Sequence, residues 1–99
     1  MAFRTISARD MNKVIGDRGH LIIDLRTRQS YNMWHIPGAL NIPFEELNQK
    51  ENVFDRSKTL VFYCERGNLS MIAANKLSAK GYRTVSLVGG ITEYNRIFH

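Results

Sequence analysis

The spacing of apolar residues changes several times along the chain, and each change marks an element. Ser7-Ala8-Arg9-Asp10 is a capping-box pattern, with Ser7 as N-cap and Asp10 three residues on. It predicts a short helix with Met11, Val14 and Ile15 on one face, stopped near Gly16-Asp17-Arg18-Gly19. Leu21-Ile22-Ile23 is a continuous apolar run between polar residues, the pattern of a strand buried on both faces. Arg28 to Trp34 fits one short helix. The stretch from Ile36 to Pro43 cannot be helical, because Pro37, Gly38 and Pro43 break it; a turn followed by an extended strand fits. Glu45 to Asn48 suits a short helix after Pro43, and Thr59 to Tyr63 reads as a second buried strand. From Leu69 to Lys80, the residues Leu69, Ile72, Ala73 and Leu77 fall at helical spacing, with Gly81 placed as a C-terminal cap. Tyr82 to Val88 is a further strand, Gly89-Gly90 a tight turn, and Ile91 to Phe98 a closing helix.

Strands separated by helices in this rhythm predict an α/β fold whose parallel sheet is covered on both faces. At 99 residues, with no linker, repeat or low-complexity stretch, the chain reads as one domain spanning 1–99. Hydrophobic residues make up 43% and charged residues 23%, which excludes collagen-like, disordered and disulfide-framework classes. No apolar run approaches the roughly 18 residues of a membrane helix, so no membrane association is expected. The start, Met1-Ala2-Phe3-Arg4, lacks the apolar core of a secretory signal, and the cytoplasm is the expected location.

The formal charge of +5 raises the question of nucleic acid, but the fourteen basic residues are scattered and form no tail or stripe. They read as a basic surface that mildly favours anionic ligands, and no nucleic-acid partner is expected. The single cysteine, Cys64, excludes an internal disulfide, a cysteine cluster for zinc and a dithiol relay within the chain. His20 and His99 belong to no ligand pattern, and Met11, Met33 and Met71 are isolated, so no metal or other cofactor is expected.

In an open parallel sheet, ligands bind beyond the carboxyl ends of the strands. Two polar groups lie there: Asp24-Leu25-Arg26 after the first buried run, and Cys64 after the second. The segment Cys64-Glu65-Arg66-Gly67-Asn68-Leu69-Ser70 places the cysteine between a strand and a helix N-terminus. Unpaired N–H groups and the positive end of the helix dipole gather at such a point. Gly67 and Asn68 are the residues best able to adopt positive φ and curl the loop so that its N–H groups point inward. Such a cradle favours negative charge on sulfur and would hold a terminal persulfide sulfur, with Arg66 adding a cation. From this pattern alone, an activated nucleophile and an inert buried thiol are both open.

Four motifs resemble those of the rhodanese family of single-domain sulfurtransferases. Asp24-Leu25-Arg26 followed by Tyr31 is similar to the first. His35-Ile36-Pro37-Gly38-Ala39-Leu40-Asn41-Ile42-Pro43 is similar to the second. Cys64, Gly67 and Ser70, preceded by Tyr63, resemble the catalytic loop; Leu87-Val88-Gly89-Gly90 with Tyr94 resembles the closing motif. They occur in the family's order over residues 24–94. The resemblance implies a three-layer α/β/α fold with a five-stranded parallel sheet of order 3-2-4-5-1. It implies sulfur transfer from a donor such as thiosulfate to cyanide, a thiol or a protein through a persulfide on Cys64. The backbone from Glu65 to Ser70 would stabilise the anionic sulfur, with no cofactor. Asp24 and Arg26 look like a buried pair supporting the loops, and His35, in a Pro-Gly turn motif, like a structural hydrogen-bonding residue rather than a general base.

The chain departs from the family pattern at four places. Ser30 stands for an acidic residue, Trp34 for glycine, and Tyr94 for tryptophan. Leu69 stands where many members carry an arginine, which implies weakened thiosulfate binding. Three other readings compete with the enzyme. A protein sulfur carrier or binding module with little small-molecule turnover is favoured somewhat by Leu69. A phosphatase or arsenate reductase of related architecture would need a longer loop and an arginine six positions after the cysteine, where this chain has Ser70. A catalytically silent interaction domain is weakened by the presence of Cys64.

Overall fold

The computed structural model describes residues 3–50, 52 and 54–98. A five-stranded parallel sheet is formed by Arg4–Ile6 (β1), His20–Asp24 (β2), Leu40–Asn41 (β3), Thr59–Tyr63 (β4) and Thr84–Leu87 (β5). Its order is β1-β5-β4-β2-β3, which is the expected 3-2-4-5-1 read from the other edge. β4 is central and pairs with both neighbours: Leu21 stands opposite Leu60, Ile23 opposite Phe62, and Val61 opposite Val85. The helices are Ala8–Met11 (α1), Arg28–Met33 (α2), Leu47–Lys50 (α3), Asn68–Ala79 (α4) and Gly90–Phe98 (α5).

Alternation along the buried strands divides the core into two layers. Ile22, Val61, Tyr63, Val85 and Leu87 point to one face, where they meet Ala8 and Met11 of α1 and Ile91 and Tyr94 of α5. Ile23, Leu60, Phe62 and Cys64 point to the other, against Ala73, Ala74 and Leu77 of α4 and Leu47 of α3. The sulfur therefore belongs to the α4 layer. Among the described residues no helix is long and apolar enough to cross a membrane.

Several local expectations are corrected. The helix after Ser7 lasts one turn before giving way to turns; Ser7 Oγ caps it by accepting from Asp10 N at 3.1 Å. The extended run after Pro37 pairs with β2 only through Leu40 and Asn41. β1 gives no apolar pattern because Arg4 and Thr5 are exposed at the sheet edge, and only pairing with β5 makes it a strand. The most consequential difference lies in α4. Leu69 and Ile72, expected on its core face, are 38% and 54% exposed, while Ser70, Ala73, Ala74, Leu77 and Ser78 are buried. Ser70 is part of the inward face: its hydroxyl donates to Gly67 O at 3.1 Å and lies 2.7 Å from Ser86 Oγ on β5.

Candidate active site

Cys64 follows the last residue of β4, and four residues later α4 begins. Gly67, the N-cap of α4, has φ +107°, a left-handed conformation that turns the chain sharply enough to bring its own N–H back over the sulfur. Cys64 Sγ accepts hydrogen bonds from Gly67 N at 3.1 Å and Ser70 N at 3.4 Å. The thiol group is nearly buried, at 3% exposure, and opens on a shallow cavity of about 230 Å³ lined by Cys64, Glu65, Arg66, Asn68 and Leu69. Orphan amides of a twelve-residue helix thus face the sulfur, and the dipole adds to the preference for negative charge there.

The loop needs its carbonyls turned away as much as its amides turned in. α5 does this: Ile91 N donates to Cys64 O at 3.0 Å and Thr92 N to Glu65 O at 3.1 Å. Such an approach leaves no room at Gly90, where a Cβ would stand 2.5 Å from both carbonyl oxygens. The Gly89-Gly90 turn, expected only to join strand to helix, therefore also holds the cysteine loop from behind. Ser86 was not singled out from sequence either. The signal available was a hydroxyl between Val85 and Leu87 in a strand buried throughout, and it anchors Ser70.

Asp24 and Arg26 form a bidentate pair beneath the loop. Asp24 is fully buried; its carboxylate accepts from Arg26 N at 2.8 Å, Arg26 Nη2 at 2.9 Å and Tyr63 Oη at 2.6 Å. Arg26 Nη2 also donates to Trp34 O at 2.6 Å. Burial works against the Arg26 charge, but the hydrogen bond and charge of Asp24, with help from Tyr63 and Glu65, outweigh it and leave its pKa above the ordinary value. Burial likewise pushes the Tyr63 phenol up, and Asp24 adds to this, so the hydroxyl remains a donor. It accepts in turn from Ile36 N at 3.1 Å. Tyr63→Phe would leave that buried N–H unpaired and remove a donor from Asp24. A loss of about 1–3 kcal/mol is expected, read as a lower urea midpoint at unchanged slope; an unchanged midpoint would refute this account of the network.

His35 is not among the sulfur's hydrogen-bond partners. Its Nδ1 pairs with Tyr31 O at 2.8 Å, and its ring stacks on that of Tyr31 at 3.7 Å. Tyr31 Oη in turn donates to Ala39 O across the Pro-Gly turn. Glu65 is exposed, with Oε1 3.7 Å from Arg26 Nη1 and Oε2 accepting from Thr92 Oγ1 at 3.3 Å. Arg66, Asn68 and Leu69 form the exposed rim, and among the described residues Arg66 makes no ion pair. His20 pairs with Asp17, and His99 lies outside the described residues. No three His, Cys, Asp or Glu side chains converge as a metal site among the described residues.

Residues 7–97 match the family model of the rhodanese-like domain. The thiosulfate sulfurtransferase PspE of Escherichia coli is 36% identical over 73 residues, covering 72% of this chain and 70% of that protein. The thiosulfate sulfurtransferase GlpE of Coxiella burnetii is 31% identical over 91 residues, covering 91% and 85%. The tRNA sulfurtransferase of Pyrobaculum aerophilum is 39% identical over 69 residues, covering 70% of this chain but 14% of that protein. The chain spans only 14–23% of the length of the tRNA sulfurtransferases and adenylyltransferase–sulfurtransferases it matches. Among solved structures, a rhodanese-related protein from Thermoplasma volcanium superposes with a TM-score of 0.88 at 28% identity, covering 96% of this chain and 93% of that one. A parallel α/β sheet with one cysteine cradled at a helix N-terminus defines the class. The chain belongs to the rhodanese-like domain family, and the relatives from Escherichia coli, Coxiella burnetii and Pyrobaculum aerophilum are named sulfurtransferases.

Proposed function

We propose that the protein transfers sulfane sulfur through a persulfide on Cys64, with thiosulfate as a usable donor and cyanide, a thiol or a protein as acceptor. The carrying observation is the sulfur itself, which accepts from two inward backbone amides at the start of α4. Backbone donors neither titrate nor need to reorganise as negative charge passes from Sγ to an outer sulfur. In the first half-reaction the Cys64 thiolate attacks the outer sulfur of thiosulfate. A new S–S bond forms, the bond to the sulfonate sulfur breaks, and its electron pair leaves with sulfite. In the second half-reaction an acceptor takes the outer sulfur and restores the thiolate, so ping-pong kinetics follow. Asp24, Arg26 and His35 support the loop and the turns around it without touching the sulfur. A thiol chemistry resting on one reduced cysteine suits the cytoplasm.

Intact mass after incubation with thiosulfate tests this reading. A gain of one sulfur atom that a reducing agent reverses is expected; no gain overturns it.

Leu69 favours a second reading, a sulfur carrier with little turnover on small donors. Thiosulfate is a dianion, and each charge-assisted hydrogen bond to an anion contributes roughly 1.5–3 kcal/mol. At the rim Leu69 offers neither charge nor donor, which leaves Arg66 as the cation lining the cavity. Leu69→Arg is therefore expected to lower the KM for thiosulfate several-fold and Arg66→Ala to raise it, in steady-state assays. Unchanged kinetics in both variants would mean that rim charge does not recognise the donor. Efficient turnover of thiosulfate by the native protein at sub-millimolar concentration would exclude the carrier reading.

A further inference from the structure

The side of β5 that faces α4 carries two buried hydroxyls, Thr84 and Ser86. On β4, Thr84 stands opposite Leu60 and Ser86 opposite Phe62, and Phe62 is two positions before Cys64. Hydroxyls buried among such neighbours are costly unless each finds a partner. Both find one on α4. Thr84 Oγ1 donates to Ala74 O at 2.7 Å, in the body of the helix. Ser86 Oγ lies 2.7 Å from Ser70 Oγ, in its first turn.

The direction of the second bond follows from counting protons. Ser70 has one hydroxyl proton, and it goes to Gly67 O at 3.1 Å. Turned toward Ser86 instead, it would leave the buried Ser86 proton with no acceptor among the described residues. Ser86 therefore donates to Ser70, and Ser70 to Gly67 O, in one chain whose bonds polarise one another. The two residues at its end are those whose amides face the sulfur, Gly67 at 3.1 Å and Ser70 at 3.4 Å. The sulfur follows β4 and the amides begin α4, so their spacing depends on where the helix sits along the sheet. Ala73, Ala74 and Leu77 press it onto the sheet, but apolar contact has no preferred direction. The bond from Ser86 has one.

We infer that Ser86 is a positioning residue for the sulfur chemistry: through Ser70 it keeps the α4 amides aimed at Cys64 Sγ without touching the sulfur itself. The inference rests on the sulfur-transfer reading above and adds to it a residue of β5, outside the cysteine loop, that helps to set the rate. Thr84 lies on the same face but is bonded one helical turn further on, away from the amides, and takes no part.

Ser86→Ala, Ser86→Thr and Thr84→Val test this against the native protein. Alkylation of Cys64 by iodoacetamide is followed by intact mass across a range of pH. The plateau rate reports access to the sulfur, and the midpoint reports how readily the thiolate forms there. In Ser86→Ala the midpoint is expected at higher pH, because a thiolate with poorer donors is harder to form. Persulfide formation from thiosulfate at neutral pH should slow about ten-fold, as one weakened charge-assisted hydrogen bond implies. Ser86→Thr keeps the hydroxyl and should restore both. Thr84→Val also loses a buried hydroxyl bond and should lower the urea midpoint, yet leave alkylation and loading as they are. No shift in Ser86→Ala, an equal shift in Thr84→Val, or a folded Ser86→Thr that behaves like Ser86→Ala would each overturn the inference. If Ser86→Thr does not fold, the contrast between Ser86→Ala and Thr84→Val decides. Failure of the native protein to load from thiosulfate is a separate outcome: it overturns the sulfur-transfer reading, while the alkylation profiles still decide the role of Ser86.

Discussion

Cys64→Ser is expected to abolish sulfur transfer while the protein stays folded. The side chain sits at 3% exposure, against α4, and serine fits the same space. Its hydroxyl can still accept from the amides of Gly67 and Ser70, so the loop keeps its interior partner. What serine lacks is chemistry: a hydroxyl is scarcely ionised near neutral pH and does not carry a sulfane sulfur as a stable intermediate. The chain has no second cysteine to take over. Turnover with thiosulfate and cyanide should fall to background, and intact mass should show no sulfur gain. Circular dichroism and the urea midpoint should remain close to those of the native protein. Residual transfer in the purified variant would sink the persulfide mechanism, whatever its size relative to the native rate.

Gly90→Ala should do nearly as much damage without touching a reactive group. Gly90 has φ +62°, where an L side chain adds roughly 1–2 kcal/mol of strain. The added Cβ would also stand 2.5 Å from the carbonyl oxygens of both Cys64 and Glu65 and 2.7 Å from the Glu65 carbonyl carbon. All three are backbone atoms, so no side chain can swing aside, and either α5 or the cysteine loop must move. Displacing the loop breaks the bonds from Ile91 N and Thr92 N and shifts the amides aimed at the sulfur. A misplacement of about 1 Å at a reacting group costs on the order of a hundred-fold in rate. We expect a loss of stability of about 3 kcal/mol or more, a large value of the kind that overpacking against backbone produces, and a comparable hundred-fold fall in the rate of persulfide formation. Gly16→Ala is the control: it shares a positive φ, +83°, but its Cβ meets nothing within 4 Å. If both variants behave alike, backbone strain alone explains Gly90, and its contact with the loop has no functional weight.

These two substitutions describe one device. The N-terminus of α4 supplies amides to the sulfur, and the N-terminus of α5 holds the loop's carbonyls facing away. Beneath the loop, Asp24, Arg26 and Tyr63 fix the chain to β2 and β4 through hydrogen bonds that leave the buried carboxylate paired. Taking away one member of such a pair strands a charge, which is the costly event in a buried ion pair. The cradle is thus held by backbone and buried groups, while Glu65, Arg66, Asn68 and Leu69 at the rim are exposed.

Local sequence pattern was enough for the elements whose burial is complete. Leu21-Ile22-Ile23 and Leu60 to Tyr63 are apolar at every position because both faces of a central parallel strand are covered, and a continuous run is easily read. The cysteine loop was legible because three facts coincide in seven residues: a strand end, a lone cysteine, and a glycine that must turn the chain. The first strand was not legible. β1 has Arg4 and Thr5 exposed on a sheet edge, and only its ladder with β5 defines it. The periodicity of Leu69, Ile72, Ala73 and Leu77 pointed to a helix correctly but gave the wrong rotation. The face that turns inward carries Ser70, Ala73, Ala74, Leu77 and Ser78, with Ser70 hydrogen-bonded to Ser86, sixteen residues on. The contact between Gly90 and the loop and the Tyr63 hydroxyl on Asp24 both join segments distant in the chain. By itself the sequence determined the α/β rhythm, the buried strands and the address of the candidate nucleophile, since each depends on neighbours within a few residues. Only the tertiary structure decided what holds the loop behind the sulfur, because that depends on which distant backbones approach closely enough to exclude a single methyl group.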